Sequence, residues 1–239
     1  MKHILLSFFI GSVLFFSACR KERNELPPPV PEEACSTPTD NPSNRSYIPD
    51  SLTLVSNVKK NCGFLPLSRN SYWIYKDSVF SDGSLLRVQY DTLRFTKTYQ
   101  SKPDKLTWWE TNIEIGLPDL LFANDSSIFA AEYRFMPDPV REVKKDFGLF
   151  SGDSIQYLTS FDDNAAMGKS VKLQASIPTP AGSFTDCILI EKKAPFYRMD
   201  KIYFKPGLGV VKYISEVAPA GSPFMELKQI STLVSYRLD

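Results

Sequence analysis

The feature that most constrains the fold of this chain is a period-two alternation of side chains in its C-terminal half. Apolar residues stand at every second position from Val171 to Ile177, with polar residues between them. Successive side chains of a β-strand point to opposite faces, so the pattern is typical of a strand with one buried face. Further apolar runs follow, separated by the turn sequences Pro-Ala-Gly-Ser at 180–183 and Pro-Gly-Leu-Gly at 206–209. The sequence therefore predicts antiparallel hairpins here.

The preceding part of the chain continues this pattern. Residues 72–80 and 85–98 flank Ser81-Asp82-Gly83, a strong hairpin signal. Evidence for helix is thin: residues 138–147 could form one helix with proline in its first turn, and residues 117–122 a shorter one. The predicted fold class is therefore mostly β. We expect a curled antiparallel sheet or a partly closed barrel of sequential hairpins, with at most one or two short helices.

Residues 1–18 have the features of an export signal. Lys2 and His3 precede an apolar stretch, residues 4–16, that is interrupted only by serine and glycine. A permanent membrane span needs about 20 apolar residues, so this stretch is too short for one. Ser17-Ala18 then supply the small residues that a signal peptidase needs beside its cleavage site. We therefore predict that residues 1–18 are a cleaved signal peptide.

Small residues running directly into Cys19 resemble the lipobox of bacterial lipoproteins, with Phe16 where leucine is more common. The resemblance implies that Cys19 becomes the N-terminus and carries a diacylglycerol and a further acyl chain such as palmitate, which together anchor a protein stably. Arg20 stands where an inner-membrane retention signal has aspartate, which favours the outer membrane, on either face. The alternative is an ordinary secretory signal that ends beside a cysteine.

A proline-rich segment follows the lipidation site. Residues 20–50 hold seven prolines among mostly polar residues. Such a composition buries too little apolar surface to offset the entropy of ordering, and its prolines keep the chain extended. The predicted organisation is a signal peptide at 1–18, a lipidated cysteine and tether at 19–50, and a single β domain at 51–239, which is long enough for one core.

The charge balance and the histidine content exclude several functions. The chain has 28 Lys and Arg against 27 Asp and Glu, and cleavage after residue 18 removes Lys2 and the single histidine. A mature chain without net charge lacks the basic surface that nucleic acids require. Without histidine it also lacks the usual base of serine and cysteine hydrolases and a common zinc ligand. We expect no enzyme activity, no cofactor and no metal, with a carboxylate-pair hydrolase as the less favoured alternative.

Two local motifs have both a functional and a structural interpretation. Gly152-Asp153-Ser154-Ile155 resembles the nucleophile block of GDS-type esterases, but a turn entering a strand explains it without the missing histidine. Asp162-Asp163-Asn164 offers oxygen ligands to Ca²⁺ but lacks the ligand series of a calcium loop, so a solvated turn is the simpler interpretation.

Three cysteines remain beside Cys19. Cys187 lies in an apolar run of β type and is predicted to be a buried thiol. In an oxidising compartment this leaves Cys35 and Cys62 as the possible disulfide.

Trp108 and Trp109 are adjacent on a predicted strand, so their rings should point to opposite faces. If only one face is core, the other presents a tryptophan on a possible binding surface, together with Tyr90, Tyr99 and Tyr133. The alternative is that a second layer of structure covers that face.

Two stretches resemble a family of uncharacterised lipoproteins of Bacteroidota. The first is Phe64-Leu65-Pro66-Leu67 followed by Tyr72-Trp73-Ile74-Tyr75; the second joins residues 180–187 to Pro206-Gly207-Leu208-Gly209-Val210-Val211-Lys212. The chain departs from the family at Arg69-Asn70, where glycine is usual, and at Lys205, where alanine is usual. The resemblance spans most of the predicted domain and implies a curved antiparallel sheet. It implies no activity and no site residues.

The function expected from these features is that of a lipid-anchored envelope protein. We expect a non-catalytic module that binds an apolar ligand or a partner protein, since concave apolar sites are usual for ligand-binding domains. The alternative is a structural or assembly lipoprotein of the outer membrane. A large apolar cavity would favour ligand binding and a filled interior would favour assembly. The sequence does not predict the oligomeric state.

Overall fold

The computed structural model describes residues 35–136, 138–148, 155–157 and 167–239. Within these ranges the regular structure consists of strands and one turn of 3₁₀ helix, Pro49–Ser51. None of the described segments forms a helix with the length and apolarity that crossing a membrane requires. The strands are β1 (Ser46–Tyr47), β2 (Leu52–Val55), β3 (Tyr72–Ser81), β4 (Ser84–Leu93), β5 (Lys97–Ser101), β6 (Thr107–Glu110), β7 (Leu120–Ala123), β8 (Ser127–Met136), β9 (Asp138–Gly148), β10 (Ile155–Tyr157), β11 (Met167–Lys172), β12 (Ile177–Thr179), β13 (Gly182–Phe184), β14 (Ile188–Ala194), β15 (Arg198–Lys205), β16 (Gly209–Val217) and β17 (Glu226–Arg237).

All of these strands pair antiparallel, so the prediction of a mostly β fold of antiparallel hairpins is confirmed. One sheet has seven strands in the order β1-β9-β8-β7-β6-β5-β2. A second has eight, in the order β10-β11-β14-β15-β16-β17-β3-β4, and β12 pairs with β13 in a separate hairpin. The last strand β17 lies beside β3, so the first long hairpin and the C-terminal strands share one sheet.

The seven-stranded sheet is nearly closed and barrel-like. Its two edge strands, β1 and β2, are joined only by residues 48–51, so the sheet must curl until its edges approach each other. Side chains from its own strands fill the interior: Tyr47, Trp108, Leu120, Phe122, Phe129 and Ala131. This sheet corresponds to the partly closed barrel expected from the sequence.

The closure of this sheet shows that the tether boundary predicted at residue 50 lies too far along the chain. Tyr47 is almost completely buried, with its ring edge-on to Trp108 at a centroid distance of 5.6 Å. Its hydroxyl donates a hydrogen bond of 2.6 Å to the carboxylate of Asp104. Residues 46–50 therefore belong to the folded unit, because they connect the two edges of the barrel-like sheet.

The main core lies between the two sheets. It combines aromatic rings of the eight-stranded sheet, such as Trp73, Tyr75 and Phe204, with Trp109 and Phe147 of the seven-stranded sheet. The indole N–H of Trp73 donates to the carbonyl of Leu208 at 2.8 Å, so its polar atom is satisfied within the core.

Neither of the two segments that the sequence offered as a possible helix is helical. Residues 120–123 form β7, and residues 138–148 form β9, which pairs with β8. Along β8, Ile128 pairs with Phe147 and Phe129 pairs with Lys145, so Asp146 is an extra residue, a β-bulge. The bulge lets Val143 pack in the barrel-like sheet while Phe147 packs in the main core. The resulting apolar spacing imitates that of a helix.

Candidate functional site

The hairpin of β3 and β4 brings two carboxyl groups together. Its turn residues Asp82 and Gly83 have φ of 49° and 74°, the left-handed conformation of a two-residue hairpin turn. The register that follows pairs Asp77 with Gln89 and Tyr75 with Asp91. Because directly paired residues share a face of the sheet, Asp77, Gln89 and Asp91 lie on the same face as the buried Tyr75.

Asp77 is the least satisfied of these groups. Its side chain is buried, with 2% exposed, and its Oδ1 atom accepts no hydrogen bond. Burial raises the pKa of Asp77 to about 6; the Ser231 hydroxyl opposes this shift, and the adjacent Asp91 carboxyl adds to it. Gln89 donates to Asp91 at 2.6 Å. Asp77 can therefore keep its proton at a higher pH than an ordinary aspartate, and the site would accept a cationic donor.

A cleft of about 270 Å³ opens over this carboxyl pair. Its other lining residues include Arg87 and Gln89 from β4 and Glu114 from the loop after β6. Arg87 is exposed and forms no ion pair with any described residue. Within the described chain, the carboxyl pair therefore has no cation at ion-pair distance, although Arg87 lines the same cleft.

A row of polar side chains continues from this pair across the inner face of the eight-stranded sheet. Asp77 is paired with Ser231, and in the adjacent row Gln229 is paired with Ser215. Ser215 is in turn paired with Asp200, and Asp200 with Lys192. The row thus reaches from β3 to β14.

A buried ion pair occupies the far end of this row. Lys192 Nζ donates to Asp146 at 2.5 Å and to the carbonyl of Gly116 at 3.0 Å, and both charged side chains are buried. Burial raises the pKa of Asp146, and the lysine opposes that shift. Asp146 is the bulge residue of β9 in the seven-stranded sheet, and Lys192 lies on β14 in the eight-stranded sheet, so the ion pair connects the two sheets.

Arg198 neutralises the remaining acids at that end. Its guanidinium contacts Glu114, donates to Asp200 at 2.9 Å and donates to the hydroxyl of Tyr213 at 2.8 Å. Burial raises the pKa of the Tyr213 phenol, which keeps it uncharged. A second cleft, of about 310 Å³, is lined by Glu114, Lys192, Arg198 and Asp200. The cations there are paired, in contrast to the unpaired carboxyl groups near β4.

Strand β4 is an edge with an exposed apolar face. Among the described strands, its one neighbour in the sheet is β3. Val88 and Tyr90 alternate on the face opposite Asp91, with 46% and 64% of their surfaces exposed, and the bulge residue Leu86 before them is 66% exposed. Proteins usually protect a long edge strand with charges, proline or a covering segment, and an apolar one is a site of strand addition.

The predicted division of Trp108 and Trp109 between core and surface is wrong. The two rings do point to opposite faces of β6, Trp108 into the barrel-like sheet and Trp109 into the main core. Both are buried, at 0% and 2% exposure, because the curled sheet covers one face and the eight-stranded sheet covers the other. Of the tyrosines expected beside them, Tyr90 and Tyr133 are exposed, and Tyr99 is half-buried.

A third cleft, of about 390 Å³, has a mixed lining. Trp109, Phe122 and Leu106 contribute apolar surface, and Lys59 and Lys105 contribute charge. Trp109 lines this cleft although only 2% of its surface is exposed.

The cysteines are arranged as follows. Cys35 and Cys62 form a disulfide with their Cα atoms 5.8 Å apart. Cys187 is a buried free thiol, and burial raises its pKa. The lipidation site Cys19 lies outside the described residues. The esterase-like serine and the acidic turn also lie outside them, as residues 152–154 and 162–164.

The described ranges contain no group of three or more histidine, cysteine, aspartate or glutamate side chains arranged to hold a metal ion.

Sequence reasoning missed the carboxyl pair, although a signal was present. Alternate positions of β3 carry Trp73, Tyr75, Asp77 and Val79, which makes the aspartate a polar residue at an inward position. A carboxyl group in a core-facing row is a candidate functional group, because burial perturbs its pKa. Its partner Asp91 is identified only once the register of the hairpin is known.

Comparisons with known proteins give two distant similarities. No protein family and no curated protein matches the chain. One similar solved structure is a candidate lipoprotein from Parabacteroides distasonis ATCC 8503, with 12% identity and a TM-score of 0.35. Another is a candidate exported protein with YmcC-like fold from Bacteroides fragilis NCTC 9343, with 14% identity and a TM-score of 0.36. Each covers 74% of this chain and 99% of the other chain. Similarities this distant carry no conclusion about fold or function.

Proposed function

We propose that this chain is a lipid-anchored protein of the cell envelope, held in the outer membrane through Cys19, that binds a partner protein without catalysis. The proposal of an envelope location is supported by the export signal and by the lipobox-like Ser17-Ala18-Cys19. The proposal of partner binding is supported by the unpaired edge strand β4. The partner adds an extended segment to that edge.

One observation carries this proposal: a buried, unpartnered carboxylate oxygen of Asp77 lies next to an exposed apolar edge strand. A partner strand would satisfy the outward backbone groups of β4 before Thr92 through main-chain hydrogen bonds, the carbonyl of Thr92 being occupied by the side chain of Asn112. Its apolar side chains would cover Val88 and Tyr90 on one face. A basic side chain on the other face would reach the carboxyl pair with a charge-assisted hydrogen bond. The partner segment therefore alternates apolar and polar residues and includes an arginine or lysine.

The filled interior of the barrel-like sheet favours binding of a partner strand at β4 over binding of an enclosed apolar ligand. The interior of the barrel-like sheet is occupied by its own aromatic rings, including Tyr47, Trp108 and Phe122. The second candidate is therefore an amphipathic ligand in the open cleft beside Trp109, favoured by its apolar lining. Hydrolysis by Asp77 and Asp91 is less favoured, because the two residues lie side by side on one face of the same hairpin and do not flank a gap for a scissile bond.

A synthetic strand tests the proposal. The probe is a dye-labelled seven-residue peptide that alternates valine with threonine and carries one arginine in place of the central threonine. We expect the detergent-solubilised mature chain, at low concentration, to bind it in fluorescence anisotropy. Asp77→Asn keeps the shape of the side chain and removes its charge. It should weaken binding roughly 10- to 100-fold, the loss of one charge-assisted hydrogen bond.

Two controls make the result specific. The same peptide with citrulline in place of arginine should bind the native chain as weakly as the arginine peptide binds the Asp77→Asn variant. Asp82→Asn removes a charge from the turn of the same hairpin and should leave binding unchanged, because Asp82 is exposed and lies outside the cleft. Equal binding of the two peptides to the native chain would disprove the role of the carboxyl pair.

A further inference from the structure

We infer that the segment added to β4 is β4 of a second copy of this chain, paired antiparallel across a two-fold axis at Gln89. This inference rests on the proposed role of β4 as a strand-adding edge and names its partner. An antiparallel pair of identical strands is self-complementary, so every contact made by one copy is made again by the other.

The charges of β4 select the register. With Gln89 opposite Gln89 of the second copy, Arg87 lies opposite Asp91 of the second copy, and Asp91 lies opposite Arg87 of the second copy. Opposite charges that face each other across a strand pair stabilise it. Moving the axis by one residue, to Val88 or to Tyr90, places an uncharged glutamine opposite Arg87 or Asp91 and loses both ion pairs. The register at Gln89 is therefore the one with charge complementarity.

The apolar face of β4 is matched in the same register. Val88 lies opposite Tyr90 of the second copy, and the pairing ends before Thr92, whose carbonyl already accepts a hydrogen bond of 2.9 Å from the side chain of Asn112. Valine facing an aromatic ring is a favourable cross-strand pair. The side chains of β4 that are exposed in the single chain would then cover one another.

Pairing also supplies what the carboxyl site lacks. Arg87 and Asp91 both line the cleft that contains Asp77. In the paired state, Arg87 of the second copy stands beside Asp91 at the mouth of that cleft. The carboxyl pair thereby gains an ion-pair partner, which the described residues of its own chain do not provide. Each copy completes the site of the other.

Cysteine cross-linking of the full chain tests this arrangement. Residues that face each other across an antiparallel pair have Cα atoms about 4.5–5.5 Å apart, within the range of a disulfide. Gln89→Cys should therefore form a disulfide with its counterpart in a host that exports and processes lipoproteins, visible as a dimer on a non-reducing gel. The matched control is Ser84→Cys, on the same strand and exposed, whose counterpart would lie about 30 Å away. We expect at least tenfold more dimer from Gln89→Cys.

Charge reversal tests the register. Added to Gln89→Cys, the change Arg87→Asp should reduce the dimer at least fivefold, and further addition of Asp91→Arg should restore it. Equal cross-linking at positions 84 and 89, or a dimer that is insensitive to charge reversal, would overturn the inference. A cross-linked product with the mass of another protein would overturn it as well.

The experiments distinguish failure of the second-copy inference from failure of the proposed partner binding by β4. If the arginine peptide binds but Gln89→Cys chains do not cross-link to each other, β4 recruits another partner and the second copy is excluded. If the peptide also fails to bind, the proposed role of β4 fails with it.

Discussion

Two buried acids of this chain, Asp77 and Asp146, differ in the charge of their neighbours. Asp146 contacts the ammonium group of Lys192, whereas Asp77 lies diagonally across its hairpin from a second acid, Asp91. A buried charge without a partner is costly, and such a group reduces the cost by keeping its proton. Asp77 is therefore the residue at which a titration reports directly on the site.

The pH dependence of stability should reveal this titration. The pKa of folded Asp77 is raised to about 6, so the folded state binds the proton more tightly than the unfolded state does. Its contribution to stability is full below the ordinary aspartate pKa and is lost as the pH rises through about 6. Asp77→Asn removes this pH-dependent loss of stability, because asparagine does not ionise. We expect the variant to be about 1–3 kcal/mol more stable than the native chain at pH 8, by urea denaturation.

The same comparison at pH 4 is the control. There Asp77 is protonated in the native chain, and the difference between the two chains should be much smaller. A variant that loses the same stability at both pH values would show that Asp77 matters for its shape and not for its charge.

At the scale of strands, the ion pair of Lys192 and Asp146 ties the bulge of β9 to β14. Removing one partner leaves the other charge buried alone, so Lys192→Met should cost about 3–5 kcal/mol of unfolding free energy. Replacing both residues, with Asp146→Leu added, should recover most of that loss, because an apolar pair of similar volume avoids the buried charge. Chemical denaturation of both single variants and the double variant measures the coupling. Simple additivity of the two single losses would show that the residues act independently.

The sequence predicts strands well where alternation is uninterrupted and fails where a bulge changes the phase. Strands β15 and β16 were expected from alternation and their turn sequences, and both are present. In β9, the extra residue Asp146 made a strand resemble a helix, because Val143 and Phe147 face different cores. The sequence of β9 by itself does not indicate that β9 pairs with β8.

The candidate site was less accessible to prediction for a related reason. That Asp77 points inward follows from local alternation, but its position beside Asp91 and Ser231 depends on the register of three strands, two of them far apart in the sequence. The tryptophans show the same limit. Local alternation correctly separated Trp108 from Trp109, while their burial depends on a second sheet and on the curl of the first.

At the scale of the whole molecule, residues 46–52 show that the folded domain begins before residue 50. This segment joins the two edges of the barrel-like sheet. The disulfide between Cys35 and Cys62 attaches a part of the chain that lies still nearer to the N-terminus to the same domain. The tether predicted from composition is therefore shortened to residues 20–34. Those residues lie outside the described ranges, and their role as a tether remains a prediction from their prolines and polar residues.

Proteolysis combined with detergent partitioning tests the anchor and the shortened tether together. The intact mature chain should enter the detergent phase, because acyl chains on Cys19 carry it there. Brief proteolysis should move the folded unit to the aqueous phase, with a new N-terminus between residues 20 and 34, since cleavage requires backbone that is not held in a fold. Cys19→Ala should stay in the aqueous phase without proteolysis. A trimmed fragment that starts after residue 46 in the unreduced chain would show that β1 is not held in the sheet, because Tyr47 would then have been accessible to the protease.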